Sequence, residues 1–209
     1  MQKRQQTPPN KGQGRIFVVS GPSGCGKTTL IRALLKDKEL KNILARSISI
    51  TTRPRRPGER EGMDYFFVSE QEFKRRLGKK KILEWTRFLH YYYGTPRDYV
   101  ERQMERNRSI ALCLDIRGAL RIKKMYPGRS TIIFILAPSI DTLKERISRR
   151  RCRTGDKVLR SRMKIARKEL LRAKEYDYRV VNDNFSLALK RLKGIIIRKL
   201  GNKVRSYKA

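Results

Sequence analysis

The sequence predicts a three-layer α/β fold built around a parallel central sheet. Short, β-branched apolar runs recur at Arg15–Ser20, Ile110–Leu114 and Thr131–Ala137, with a shorter one at Arg179–Val181; each suits a buried strand. Longer stretches with helical apolar spacing follow them, near 117–125, 139–151, 157–176 and 185–200. The first apolar run also leads straight into a glycine-rich loop, and Thr29–Leu35 beyond the loop has helical spacing again.

Along the chain, residues 1–14 are polar and free of acids, and read as a disordered basic arm. After the first strand, loop and helix come a strand at Ile48–Ile50, a Pro/Arg/Gly-rich turn region to Gly62 and a strand at Tyr65–Val68. Ser69 with Glu72 has capping-box spacing, so a short helix follows. Lys81–Phe88 reads as a strand, with Trp85 in the core, and Tyr91–Gly94 as an aromatic turn. Thr95 and Pro96 look like a helix N-cap and its first residue, opening a helix to about Arg106. No internal repeat interrupts this order.

Composition narrows the class. A chain of 209 residues is one domain's length and can bury a core. Its apolar runs are too short for a membrane span, and its N-terminus has no secretory apolar region. Three separated cysteines (Cys25, Cys113, Cys152) give neither a disulfide framework nor a zinc pattern, so a cytoplasmic, reduced setting is expected. With 53 Lys+Arg against 19 Asp+Glu the net charge is +34, a field that attracts polyanions. The charge is spread along the chain without a nucleic-acid-binding motif. Weak, salt-sensitive RNA or polyanion association is therefore expected as a side property, and a phosphate-handling enzyme as the main one.

Gly21-Pro22-Ser23-Gly24-Cys25-Gly26-Lys27-Thr28, followed by Thr29, matches GxxxxGK[ST] in full. Glycines let the backbone wrap a triphosphate with N–H groups pointing inward, and the helix N-terminus adds its dipole. Lys27 is placed to reach the β/γ-phosphates of ATP, and the Thr28 hydroxyl to ligate Mg²⁺. Asp115, ending an apolar strand, fits a second residue near the metal, or else an ordinary strand-end turn.

Beyond that loop, Ser49-Ile-Thr-Thr-Arg53-Pro-Arg-Arg56-Pro-Gly-Glu59-Arg-Glu-Gly62-Met-Asp-Tyr65, then Leu83-Glu84-Trp85, Tyr92-Tyr93-Gly94-Thr95-Pro96 and Tyr176–Asp183 follow in order. These elements resemble the guanylate kinase family over about residues 15–195. The resemblance implies a P-loop NTPase kinase fold with an inserted nucleotide-monophosphate-binding subdomain (47–98), a mobile lid (144–164) and a core of 15–46, 99–143 and 165–209. It implies transfer of the γ-phosphoryl of ATP to GMP with Mg²⁺. Arg53, Arg56, Tyr65 and Tyr93 would hold the GMP phosphate, with Glu59 orienting the arginines. Glu84 can accept from both adjacent donors of guanine, N1–H and the 2-amino group, while the Ser49 and Thr95 hydroxyls add contacts. Asp115 would also lie on the GMP side, and Asn182 near adenine. Lys27, Arg53, Arg150 and Arg162 would neutralise charge in the transition state, with Arg146 a further candidate.

The chain departs from the family pattern in two places. Cys113 stands where the family carries the first of two acids, and the lid reads Arg150-Arg-Cys-Arg-Thr-Gly-Asp-Lys157 in place of a Gly-Thr step followed by acids. Three rivals remain open: a binding module on the same fold, a kinase for another phosphorylated small molecule, and a basic RNA-associated protein that keeps the fold. The intact Lys27 argues against the first, Glu84 against the second, and salt-dependent binding would identify the third.

Overall fold

A computed structural model describes residues 14–149 and 156–201, the side chains of 156 and 157 excepted. Five parallel strands form the central sheet, in the order β2 (Leu44–Arg46), β7 (Ser109–Cys113), β1 (Ile16–Ser20), β8 (Ser130–Leu136) and β9 (Tyr178–Val181). Alternation along β1 splits the core into two layers. Phe17 and Val19 face α1 (Lys27–Lys36) and α7 (Phe185–Leu200), while Ile16 and Val18 face α3 (Arg97–Glu105) and α4 (Ile116–Met125). β1 is buried throughout because helices cover both sheet faces, which explains its unbroken apolar run. Phe17→Ala would cost about 3–5 kcal/mol at such a site.

A second sheet, β4 (Phe66–Phe67), β3 (Ile50–Thr51), β6 (Tyr91–Pro96) and β5 (Ile82–Phe88), is built from the inserted residues around its own small core of Ile50, Phe73 and Ile82. α2 (Glu70–Gly78) closes it, started by the Ser69 hydroxyl accepting from the Glu72 N–H at 3.1 Å as the capping-box spacing predicts. After β8 come α5 (Ile140–Ser148) and α6 (Asp156–Leu171), the latter ending in a short 3₁₀ turn at Ala173–Glu175.

Three expectations are corrected and one strand was missed. Tyr91–Gly94 is not a turn but part of β6. The reversal is one step earlier, at Leu89 and His90, which adopt φ 46° and 71° between the paired residues Phe88 and Tyr91. Stacking of Tyr92 on Phe73, with centroids 5.2 Å apart, favours the strand. Thr95 is not the N-cap of α3; that position is Pro96, because the Thr95 hydroxyl donates to a buried carboxylate. Trp85 is 38% exposed on the outer face of β5, against Tyr92, and not in the core. The three-residue β2 was not anticipated, being too short to show a pattern. The basic arm, apart from Gly14, lies outside the described residues, as does the lid stretch 150–155 with Arg150.

Candidate active site

The glycine loop joins the carboxyl end of β1 to the first turn of α1. Gly26 occupies the N-cap position at φ 95°, and a Cβ there would meet Asn182 Nδ2 at 2.3 Å, so both conformation and space require glycine. No side chain caps α1 and no acid lies in its first turn, which leaves its leading N–H groups for an anion. The Lys27 ammonium donates to the carbonyls of Gly21 (2.6 Å) and Pro22 (2.8 Å), with the Cys25 sulfur at 3.7 Å. Cys25 itself points into the core, where burial pushes its thiol above the ordinary value.

Asn182 sits behind the loop. Its amide donates to the Cys25 carbonyl at 2.8 Å, and its own carbonyl accepts from Arg146 at 3.4 Å. Asn182 thus holds the loop's shape from β9, and Arg146 is directed to that backbone.

One cavity of about 430 Å³ runs from this loop to the inserted sheet. Gly21, Ser23, Gly24, Gly26, Lys27, Thr28 and Thr29 line one end; Ser49, Arg53, Arg56, Glu59, Tyr65, Glu84 and Tyr93 line the other. Asp115 and Arg162 lie on the same surface. Pro22, Cys25, Thr95 and Asn182 do not line it; Pro22 and Cys25 contact Lys27, Thr95 contacts Glu84, and Asn182 holds Cys25.

The insert end is held by its own ion pair. Arg53 is 7% exposed and donates to both Glu59 oxygens, at 2.7 and 2.9 Å, while the Arg56 N–H donates to the same carboxylate at 2.9 Å. Burial alone would lower the Arg53 guanidinium; Glu59 and Tyr93 outweigh it and hold it above the ordinary value. The guanidinium also lies 5.5 Å from the Tyr65 ring centroid, and Tyr93 meets Tyr65 edge-on. Burial raises the Tyr65 hydroxyl to about 12, so it remains a neutral donor. Glu59 therefore orients the Arg53 guanidinium and anchors the Arg56 backbone.

Glu84 is 2% exposed, and its Oε1 accepts from the Thr95 hydroxyl at 2.6 Å. Burial raises its carboxyl to about 7, against the lowering by Thr95, and Asp115 adds to the rise. Its other oxygen faces Gly118 on α4, where a Cβ would stand only 2.6 Å away. The Gly118 N–H meanwhile donates to Asp115 Oδ1 at 2.8 Å, so Asp115 is the N-cap of α4. That cap engages one of its two oxygens.

Two participants escaped the sequence reading. Gly118 looked like an unremarkable helix glycine, although a glycine inside an amphipathic helix is a cue to close packing. Glu169 lines the same cavity; burial pushes its carboxyl up to about 7 although Lys27 opposes the shift. It shares an α6 face with Arg162 and Ile165, at helical spacing, and that spacing was the available signal.

A phosphate-cradling loop alone defines only a broad group. The opposite end of this cavity narrows it, since locked arginines and tyrosines suit an acceptor with its own phosphate, and a buried carboxylate beside a hydroxyl suits a base rich in donors. Fold and cleft together define a P-loop kinase acting on nucleoside monophosphates. Known proteins agree at finer grain. The guanylate kinase family profile matches residues 13–199. The guanylate kinase of Caldanaerobacter subterraneus subsp. tengcongensis is 42% identical over 188 residues, covering 90% of this chain and 88% of that one. That of Bacillus subtilis is 39% identical over 187 residues, covering 90% of each chain. The crystal structure of guanylate kinase from Anaplasma phagocytophilum superposes with a TM-score of 0.77 at 30% identity, covering 93% and 90%. The chain belongs to the guanylate kinase family.

Proposed function

We propose that this cleft transfers the γ-phosphoryl of ATP to GMP, giving ADP and GDP. The observation that carries the reading is the buried Glu84, held by the Thr95 hydroxyl and lining the same cavity as the glycine loop. Guanine presents two adjacent donors to a carboxylate, whereas adenine lacks that pair and leaves the group desolvated and unsatisfied. Ser49 adds a hydroxyl on the base side.

Arg53, Arg56, Tyr65 and Tyr93 hold the GMP phosphate, with Glu59 fixing the arginines before substrate arrives. On the donor side the loop N–H groups and the α1 N-terminus take the ATP phosphates, and Lys27 exchanges two neutral carbonyls for anionic oxygens. A GMP phosphate oxygen attacks the γ-phosphorus. The bond to the β,γ-bridging oxygen breaks, and its electron pair leaves on ADP. The nucleophile is already anionic and needs no strong base, so alignment and charge neutralisation by Lys27, Arg53 and Arg162 do the work. Arg150 belongs to the lid proposed over 144–164, which would exclude water.

Thr28 and Asp115 fit a magnesium site of the kind that draws its remaining ligands from phosphates and water. Both line the cleft, Asp115 keeps one oxygen beyond its cap, and no cluster of three or more metal-binding acids, histidines or cysteines occurs among the described residues. Thr28 and Asp115 would hold the ion there, and Mg²⁺ would supply positive charge to offset that of the phosphates. No described helix is long and apolar enough to cross a membrane. Weak association with RNA or another polyanion accompanies the +34 charge.

The test is ADP release from ATP and Mg²⁺ with GMP, AMP, CMP or UMP as acceptor. GMP-selective turnover is expected; a folded protein that binds GMP yet turns over no acceptor would overturn the reading in favour of a binding module.

A further inference from the structure

The catalytic cleft lies at the carboxyl ends of the central strands; the opposite edge has its own arrangement. Three adjacent strands, β7, β1 and β8, are each preceded immediately by an arginine: Arg108, Arg15 and Arg129. The pairing of Ile16 with Ile110 and with Ser130 sets Arg15 level with Arg129 and Arg108 one residue further out. All three are half-buried, and the Nε of each is buried without a hydrogen-bond partner. Arg15 donates to the Gly128 carbonyl and Arg129 to the Gly14 carbonyl, at 2.9 and 3.3 Å, so neutral groups alone meet these charges. Arg108 makes no side-chain hydrogen bond among the described residues, and none of the three makes an ion pair there. Asp177 is engaged by Lys123, Glu175 by Arg172 and Glu101 by Arg97, while Glu105 lines the recess beside Arg129 without an ion pair to it. Burial and the neighbouring Arg129 push Arg15 below its ordinary value, as expected for charges lacking a counter-charge.

Beside Arg129 opens a recess of about 310 Å³, lined also by Tyr126, Met104, Asn107, Glu101 and Glu105. Tyr126 and Met104 offer an apolar surface with an aromatic ring, and the glutamates offer acceptors. We propose that this edge is a docking site for single-stranded nucleic acid: Arg15, Arg108 and Arg129 meet consecutive phosphates, and one base enters the recess against Tyr126. A positively charged track with an aromatic platform is the physical requirement for such binding. The base edge, through its exocyclic amino groups, supplies the donors that Glu101 and Glu105 accept. A lipid headgroup or an acidic peptide would set its own anions against those carboxylates. This locates the polyanion association proposed above and is independent of the phosphotransfer reading, because the two use opposite edges of the sheet.

The experiment is fluorescence anisotropy of a labelled 20-nucleotide single-stranded RNA across salt, with polyphosphate and anionic vesicles as competitors and GMP turnover as the check on folding. Arg108→Gln/Arg129→Gln is expected to weaken RNA binding at least tenfold and to lower the slope of log K against log salt by about 1.4, at about 0.7 per lost phosphate contact. Tyr126→Ala is expected to weaken RNA by about tenfold, with polyphosphate unaffected, and Tyr126→Phe to stay near wild type. Arg167→Gln/Lys168→Gln, exposed on α6, is the charge-matched control and should change little. If the double arginine variant loses turnover, Arg108→Gln alone, which breaks no hydrogen bond, carries the test. Equal loss in the control, indifference to Tyr126→Ala, or displacement of RNA by vesicles as effective as by unlabelled RNA would each overturn the site.

Discussion

The two ends of the catalytic cavity solve the same problem, holding a phosphate, by different means. At the ATP end the recognition surface is backbone: a glycine loop, a helix N-terminus and one lysine resting on neutral carbonyls. At the GMP end it is side chain, with Arg53 clamped by both oxygens of Glu59 and braced by Tyr65 before any ligand contributes. The lysine must change partners during the cycle; the arginine keeps its partner and adds the substrate. A bidentate arginine–carboxylate pair is rigid enough to be a pre-formed site, whereas an ammonium on carbonyls is a resting contact that a phosphate readily replaces. Changes at the first end should therefore act on ATP binding and turnover, and changes at the second mainly on GMP recognition.

The largest effect is expected from Lys27→Ala, a fall in kcat of about 10³ with GMP affinity nearly unchanged, measured by single-turnover kinetics and direct GMP titration. Gly118→Ala sharpens the contrast from the other side. Its methyl displaces the Glu84 carboxylate, so KM for GMP should rise by about 10- to 100-fold while KM for ATP stays within about twofold. Glu59→Gln should cost about tenfold in kcat/KM for GMP, because Arg53 and Arg56 lose their common anchor. An equal loss on the ATP side would break the division. Asn182→Ala, which loosens the loop from behind, should give the smallest change, a few-fold rise in KM for ATP alone.

Acidity separates the two ends again. Glu84 holds its proton to about pH 7, well above its ordinary value, so the folded state binds more protons than the unfolded chain between about pH 4.5 and 7. Stability of the ligand-free protein therefore falls as pH rises through that window, by at most about 3 kcal/mol from this residue. Glu169 acts in the same direction. Guanine needs the ionised carboxylate, so GMP affinity should climb between pH 6 and 8. In Glu84→Gln only the share due to the substrate's own phosphate should remain, which titration calorimetry at both pH values would show.

Much of this was legible in the sequence, for reasons that differ by region. The run Ile16–Ser20 announces a buried strand because both its faces are covered, and the glycine loop is legible because its backbone geometry tolerates few other residues. Arg53, Glu59, Glu84 and Tyr93 were legible through their order along the chain, which a family resemblance carried. The roles of Thr95 and Asn182 were not, because a hydroxyl or amide near a helix or strand end has a local use, and only tertiary contact reveals the distant one. Gly118 and Glu169 were missed for a related reason. Each matters through what faces it across the fold, the Glu84 carboxylate for one and the loop lysine for the other, and spacing along one helix does not name the partner. Tyr91–Gly94 misled because three aromatics before a glycine resemble a turn, while stacking on Phe73 fixes them as a strand.

The central claim is that one cavity holds two independent phosphate sites with separate residue sets. Calorimetric binding of GMP, and of a non-hydrolysable ATP analogue with Mg²⁺, to Lys27→Ala and Glu84→Gln tests it directly. The account predicts a crossed result: Lys27→Ala loses the ATP analogue and keeps GMP, while Glu84→Gln loses GMP and keeps the analogue. If either folded variant lost both ligands, or GMP bound Glu84→Gln as tightly as wild type, the account would be contradicted.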